Sequence, residues 1–555
     1  MLWGRLQRPL GARAARPRQR WEGDSSRPDP AEGIVVASRG SYTERYYSRH
    51  IVARPRTVGA GCLTGASGSP EGGGSAVQGD GLFEVTNQQR MKQMHGAGSA
   101  KWCARHVGWL ALQLFFCVMA TQAGAAETAQ VNDFWKSVYE ENHVLEVRLE
   151  VSRDAWDAMQ PRRDERRGEN RPRVSFGNQF SYAPVNLWVD GELFEQAGLR
   201  FKGNSSFRFS ERGLKRPFKI DTNRFVKGQK LHGKTKLNLS NAFLDTAFMK
   251  EKLGYELYRA AGMPTPGVGW AHVTLTVEGR VAAEPLGLYV LVEQVNRTYL
   301  EEKLGQASSK SLLMKPDAMD DWEYLGENLE RYERYNLKVG EKNTQLLQRF
   351  VELLRLIEQA SPEEFEKTIA DRVDLSMLAG YLAATSLLVN IDSYIGMPHN
   401  YYLLMDAADD KLRMLPWDLN ETFGTFTMEY DPSVLARWDI HRPWVAPRRL
   451  VERLFEMDAF RKMYHDILLR LMVKEFTEEK LFARIATFEE ALLPYLTPEY
   501  AGDLRGFRMG IDGDEEGVNR AVGRRILGIK PFVKERLDSV WGQFTGEADG
   551  LNLRR

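Results

Sequence analysis

NIDSYIGMPHNYYLLMDAADDKLRMLPWDLNETFG, residues 390–424, follows the almost wholly apolar stretch Leu375–Val389. An apolar run of that length without alternation reads as a buried helix. Tyr401–Met405 and Leu412–Leu415 read as two short strands joined by the acidic turn Asp406–Asp410. A hairpin returns the chain on itself. Asp392 before the first strand, Asn400 at its entrance and Asp418 past the second can therefore converge at one end. A bare carboxylate after a buried helix is costly, so Asp392 needs a partner or a task. Two oxygen ligands with a third carboxylate are what Mg²⁺ and a nucleotide's phosphates require. A loop cap at Asp392 and a turn residue at Asp418 satisfy the same spacing.

Upstream, the pattern is strand-rich. Leu145–Val151 alternates apolar and polar residues, and Ser152 is placed to cap a short helix. Val185–Val189 and Leu193–Lys202 flank Asp190-Gly191, a hairpin signal. Phe218–Ile220, Lys236–Leu239, His272–Val277 and Leu286–Val292 are further strands. Between them Asp245 opens an expected helix through Met249, Leu253 and Leu257 that ends at Gly262 and Pro264. Two basic clusters lie in this region. Arg200–Ser206 (RFKGNSS) is a Gly/Ser turn whose backbone N–H groups can cradle phosphate, with Lys202 adding charge. Lys215 and Lys219, in KRPFKID, can each hold phosphate if a helix supplies a carboxylate, for which Glu251 is available. A surface hairpin and a solvated strand are the plain alternatives.

Downstream of about residue 297 the spacing turns helical: Thr344–Gln359, most of 447–500, and a last helix near Lys530–Phe544. The expected fold is α+β, with a strand-rich part over 140–296 and a helical part over 297–545 that carries a two-stranded insertion.

Composition narrows the classes. The 555 residues hold 76 Lys+Arg against 75 Asp+Glu, with 43% hydrophobic and 27% charged. Such values exclude a collagen-like, wholly disordered or multi-span membrane chain, and near-neutrality argues against nucleic acid as partner. The charge is unevenly distributed: 16 basic and 8 acidic residues precede Val107, and 60 basic and 67 acidic ones follow Ala126. Val107–Ala120 is apolar and too short for a stable span. Lys101 and Arg105 precede it, and Ala123-Gly124-Ala125 follows it. These three features together read as a secretory signal peptide over 91–125. Translation is expected to begin at Met91 or Met94, with the Arg/Gly/Pro-rich 1–90 disordered or wrongly included. Cys62, Cys103 and Cys117 all precede the cleavage point, so the mature chain has no thiol. No stable membrane span is expected after cleavage.

Six blocks, in order, resemble the CotH (spore coat protein H) kinase family of atypical secreted protein kinases. They are GLRFKGNSSF (198–207), KLNLSNAFLDTAFMKEKL (236–253), GLYVLVEQV (287–295), LLMKPD (312–317), NIDSYIGMPHNYYLL (390–404) and LPWDLNETFG (415–424). The resemblance implies a protein-kinase-like two-lobed fold, ATP, Mg²⁺ or Mn²⁺, and phosphorylation of Ser/Thr hydroxyls on a secreted, periplasmic or envelope protein. It makes Asp392 the catalytic aspartate and Asp418 a metal ligand, with Asn400 a second. Lys202, Lys215, Lys219 and Glu251 are assigned to the nucleotide side, and Glu293 to the adenine or sugar. The family's second aspartate of the Trp-Asp-x-Asp block is Asn420 here, which keeps an oxygen ligand and loses a charge. That departure supports the rival expectation, a weak or inactive binding protein of the cell envelope. A sugar-acting hydrolase with paired carboxylates is the third option, against which the block order speaks. The acidic run 512–517 lacks the full calcium-loop ligand pattern. The nine histidines show no zinc-type pairing.

Overall fold

A computed structural model of the protein describes residues 133–161, 180–316, 321–427, 430–513, 518–519, 524–525 and 527–553. The expected leader, the segment before it and nearly all of the charged stretch 161–173 lie outside these residues. The same holds for Asp317 and for most of the acidic run 512–517.

Seven strands close into a barrel: β1 (Val144–Val151), β2 (Ala183–Val189), β3 (Glu192–Phe201), β4 (Phe218–Asp221), β5 (Lys236–Ser240), β6 (Val268–Val277) and β7 (Val281–Glu293). Their order around it is β1-β2-β3-β4-β5-β7-β6. Alternation does the sorting. Along β2, Ala183, Val185, Leu187 and Val189 are buried, and the residues between them are half-buried. Asp190 and Gly191 both take positive φ (48° and 87°), which is the twist a two-residue hairpin needs. Closure depends on β1 running parallel to β6, from Val144 beside Trp270 to Val151 beside Val277. A closed sheet leaves no unpaired edge.

β6 and β7 are buried on both faces. Ala271, Val273, Leu275, Tyr289 and Leu291 point into the barrel core. Trp270, Leu288, Val290 and Val292 point the other way, into the core of the helical half. The two cores therefore share a wall. Against it lies α1 (Lys250–Ala260), buried nearly all round. The helical half adds α2 (Thr344–Gln359), α3 (Leu375–Leu387), α4 (Asp458–Lys474), α5 (Glu478–Leu492) and α6 (Ile529–Thr545). α3 is its axis: Leu378 through Leu387 are all buried, and α4 packs along it. Among the described residues no helix is long and apolar enough to cross a membrane.

The α+β expectation holds, and two details are corrected. The insertion is a four-stranded sheet, because Leu312–Met314 and Leu337–Val339 add to the hairpin formed by Tyr401–Met405 and Leu412–Pro416. Three-residue strands are too short to show a period. The helix expected from Asp245 begins instead at Lys250. Phe248 takes φ +59°, which no right-handed helix accommodates, and the Asp245 carboxylate caps from a distance by accepting the Lys250 N–H at 2.8 Å.

Arg536 on α6 is fully buried and donates to Ala436 O (2.9 Å), Trp438 O (2.7 Å) and Ser386 O (2.9 Å). Burial pushes its guanidinium down to about 10. Arg536→Met is expected to lower unfolding stability by about 2–4 kcal/mol, since it removes the donor shared by three buried carbonyls. Urea denaturation checks this, and a change below about 1 kcal/mol would contradict it.

Candidate functional site

Residues 389–423 carry five non-glycine positions in the left-handed region: Val389 (φ 47°), Asn400 (59°), Asp410 (58°), Asp418 (60°) and Phe423 (58°). For a β-branched residue such as Val389 this backbone is a true outlier. Such conformations persist where surrounding structure enforces them, and they gather at functional sites.

Here they aim two acidic segments at one another. Asp392 is 5% exposed. Asn400 donates its amide to Asp392 Oδ2 (2.6 Å) and to Asp392 O (3.1 Å). His399 Nε2 stands 2.7 Å from Asp392 Oδ1, an ion pair when the ring is protonated. The backbone carbonyl of Asn400 accepts from the N–H of Trp417 at 3.1 Å, beside the paired residues Tyr401 and Pro416. Asp418 is the next residue. Asn400 therefore joins Asp392, through its side chain, to the segment that carries Asp418, through its backbone.

α1 supports both segments from behind. The Tyr255 hydroxyl accepts from Asp418 N–H (3.2 Å), Tyr258 meets Asn390 (3.4 Å) and Thr385 (2.7 Å), and Gly254 faces Leu419 directly. On the same helix, Glu251 is 2% exposed and its Oε2 has no hydrogen-bond partner. Burial, then the neighbouring Asp418 charge, pushes the Glu251 carboxyl up to about 8, against the pull of Lys202. The cation nearest to Glu251 in effect is thus the lysine of the Gly/Ser turn. That turn places Gly203 at φ +77° and leads into a short helix, Ser205–Ser210, that the sequence reading missed.

Lys219 projects from β4 on the face away from the barrel core and donates to Gln294 Oε1. Burial, then the charges of Arg200, Lys202, Lys236 and Lys315, pushes its amine well below the usual lysine range. Four cations crowding a fifth make a place for an anion. Lys315 lies 5.7 Å from the ring centres of both Tyr402 and Trp417, and the Asp418 charge helps raise the Tyr402 hydroxyl after burial. The basic row and the acidic segments therefore border the same space.

Residues 199–505 match the family described as CotH kinase protein, more than half of the chain. The chain belongs to the CotH kinase family. It is also 22% identical over 301 residues to the inner spore coat protein H of Bacillus subtilis (strain 168), which covers 51% of this chain and 75% of that one. All six CotH-like blocks fall within the matched span apart from Gly198.

Two residues assigned to the CotH nucleotide side stand elsewhere. The Lys215 amine faces the rings of Phe248 (5.0 Å) and Tyr289 (5.7 Å), and burial, relieved by Asp503, takes it down to about 8. Glu293 gives one oxygen to Lys234 and accepts the Gly267 N–H on the other (2.9 Å), so its carboxylate is committed inside the fold. The Asn420 side chain takes no hydrogen bond among the described residues. Tyr255, Gln294 and Tyr402 were not singled out from sequence. Tyr255 was findable, since it follows Glu251 at i+4 on one helix face. An open cavity of about 650 Å³ lined by Phe134, Asn142, His143, Asp190, Thr487 and Glu490 shares no residue with this site.

Among the described residues no three His, Cys, Asp or Glu side chains cluster to cage a metal. The donors present still suit Mg²⁺, which is held by one or two carboxylates together with substrate phosphates. Glu251 Oε2, buried without a hydrogen-bond partner, feels the Asp418 charge, and Asn400 turns its amide nitrogen to Asp392, which leaves Asn400 Oδ1 for a ligand.

Proposed function

We propose that this CotH-family protein is an exported, ATP-dependent kinase that phosphorylates Ser/Thr hydroxyls of an envelope or extracellular protein. In this reading 140–296 is the N-lobe and 297–545 the C-lobe of a two-lobed, kinase-like domain, and ATP sits at their junction. The reading is carried by the link Asp392–Asn400–Trp417–Asp418, bordered by Glu251 and the basic row around Lys219. The name of the Bacillus relative, a spore coat protein, and the expected signal peptide support the envelope location.

Phosphoryl transfer needs positioning and charge neutralisation more than covalent help. Asp392 accepts the proton of the acceptor hydroxyl, with Oδ2 anchored by Asn400 and Oδ1 beside His399. Lys202 and Lys219 bind phosphate oxygens, and Gln294 holds the Lys219 amine in place. Mg²⁺ or Mn²⁺, held by Asp418, Asn400 and Asn420, would neutralise charge on the phosphates.

The test is incubation of the purified protein with γ-labelled ATP and Mg²⁺ or Mn²⁺, beside Asp418→Ala. Label on Ser or Thr in the wild type alone supports the reading; no label with either cation ends it. Asn420 is the observation behind the rival reading, an inactive binding protein. Asn420→Asp is therefore expected to lower the half-saturating Mg²⁺ concentration by about 3–10-fold, since affinity rises with ligand charge. An unchanged Mg²⁺ titration would remove Asn420 from the cation's surroundings.

A further inference from the structure

The segment that follows Asp392 is held from outside by a single short stretch of chain. Three successive carbonyls, those of residues 394, 395 and 396, all point at 445–448. Arg448 Nε donates to Tyr394 O (2.6 Å), Val445 N to Ile395 O (2.9 Å), and Arg448 Nη2 to Gly396 O (2.8 Å). Arg448 is 3% exposed, and no carboxylate pairs with it among the described residues. Its remaining nitrogen donates to Pro447 O (2.9 Å), so the hydrogen bonds of this buried cation all go to backbone carbonyls, with the Tyr394 ring 5.7 Å away. Burying the guanidinium carries a desolvation cost that these fixed donors must offset.

The geometry of the segment makes that hold consequential. Met397 N–H donates to Ile391 O (2.8 Å) and Gly396 N–H to Ser393 O (3.0 Å), so residues 391–397 form one tight turn with Asp392 inside it. A Cβ at position 396 would stand 1.9 Å from Ile391 O, which leaves no slack for the turn to shift. Moving the carbonyls of 394 and 396 therefore moves Asp392 relative to Asn400 and His399.

We infer that Arg448 is a positioning residue for Asp392, clamping the carbonyls of Tyr394 and Gly396 so that the catalytic carboxylate meets the acceptor hydroxyl. The inference rests on the kinase reading above. A guanidinium supplies two donors in a fixed fork that spans both carbonyls, and an ammonium reaches only one. Sub-ångström slack in a catalytic group is enough to lower turnover markedly.

Arg448→Met and Arg448→Lys in the full-length protein test this. The expected result is a kcat about 10–100-fold lower for Met, with Lys intermediate and KM for ATP within about twofold of wild type. Hydrogen exchange at the amides of Gly396 and Met397 should quicken in the same order, and this readout needs no activity. Wild-type kcat in Arg448→Met overturns the inference. So does a loss in which KM for ATP and the melting temperature change together and Lys restores nothing, since that marks a purely structural role. If wild type and Asp392→Asn both transfer no phosphate, the kinase reading falls and takes the catalytic assignment with it. If wild type transfers and Arg448→Met matches it, only this inference falls.

Discussion

Asp392→Asn is expected to lower the rate of phosphoryl transfer by about 10²–10⁴-fold, the contribution of a well-placed general base, while the melting temperature stays nearly unchanged. Asparagine has the shape of aspartate. It can keep an oxygen toward the amide of Asn400, which now anchors Oδ2 at 2.6 Å, and turn its amide toward His399. Removing a buried negative charge also relieves desolvation, so the fold has no reason to weaken. What disappears is the proton acceptor. Single-turnover transfer at saturating ATP measures the chemical step, and thermal melting measures the fold. Retention of wild-type turnover in a folded variant would strip Asp392 of its role. A variant that fails to fold would instead show that the carboxylate is structural.

Local features of the fold were legible in the sequence. The hairpin at Asp190-Gly191, the buried helix before Asn390 and the strand pair around Asp406–Asp410 follow from period and turn chemistry, which act over a few residues. Pairing partners were not legible. β1 closes the barrel against β6, with Val144 beside Trp270, and nothing in an alternating pattern names the strand it will join. The same limit explains the lysines. Lys202, Lys215 and Lys219 all sit in basic stretches, and only packing separates Lys219, on β4 and facing Gln294, from Lys215, ahead of that strand and facing Phe248 and Tyr289. Glu293 has its partner at Lys234, 59 residues earlier, and Arg448 serves a turn more than fifty residues before it. Distances of that kind are set by packing. The convergence of Asp392 with Asn400 was foreseeable for the opposite reason: both flank one short loop, and the hairpin that follows brings Asp418 back beside them.

The second large effect concerns Asp418. Asp418→Ala is expected to reduce transfer by about 10²–10³-fold or more, because it removes the charge that would hold the cation against the phosphates. A binding readout separates this from misfolding. In the metal-free protein, the Glu251 carboxyl is raised from 4.5 to about 8 by burial and by Asp418, with Asp245 adding to the repulsion and Lys202 opposing it. The folded state then holds a proton that the unfolded state has already lost between those two values, so its stability falls as pH rises from about 4.5 to about 8. Mg²⁺ held at Asp418 would oppose the trend by favouring the ionised form of Glu251, so its stabilisation should grow with pH over the same window. Melting of the wild type with and without Mg²⁺ at pH 6 and pH 8 is therefore expected to show a larger shift at the higher pH. Asp418→Ala should show almost none. It should also make the metal-free slope shallower without abolishing it, since the Asp418 repulsion is gone while burial, the larger cause, still raises Glu251. An Mg²⁺ shift that survives in Asp418→Ala, or one independent of pH in the wild type, would place the cation away from Asp418 and its neighbour Glu251, and the metal role assigned to Asp418 would fall with it.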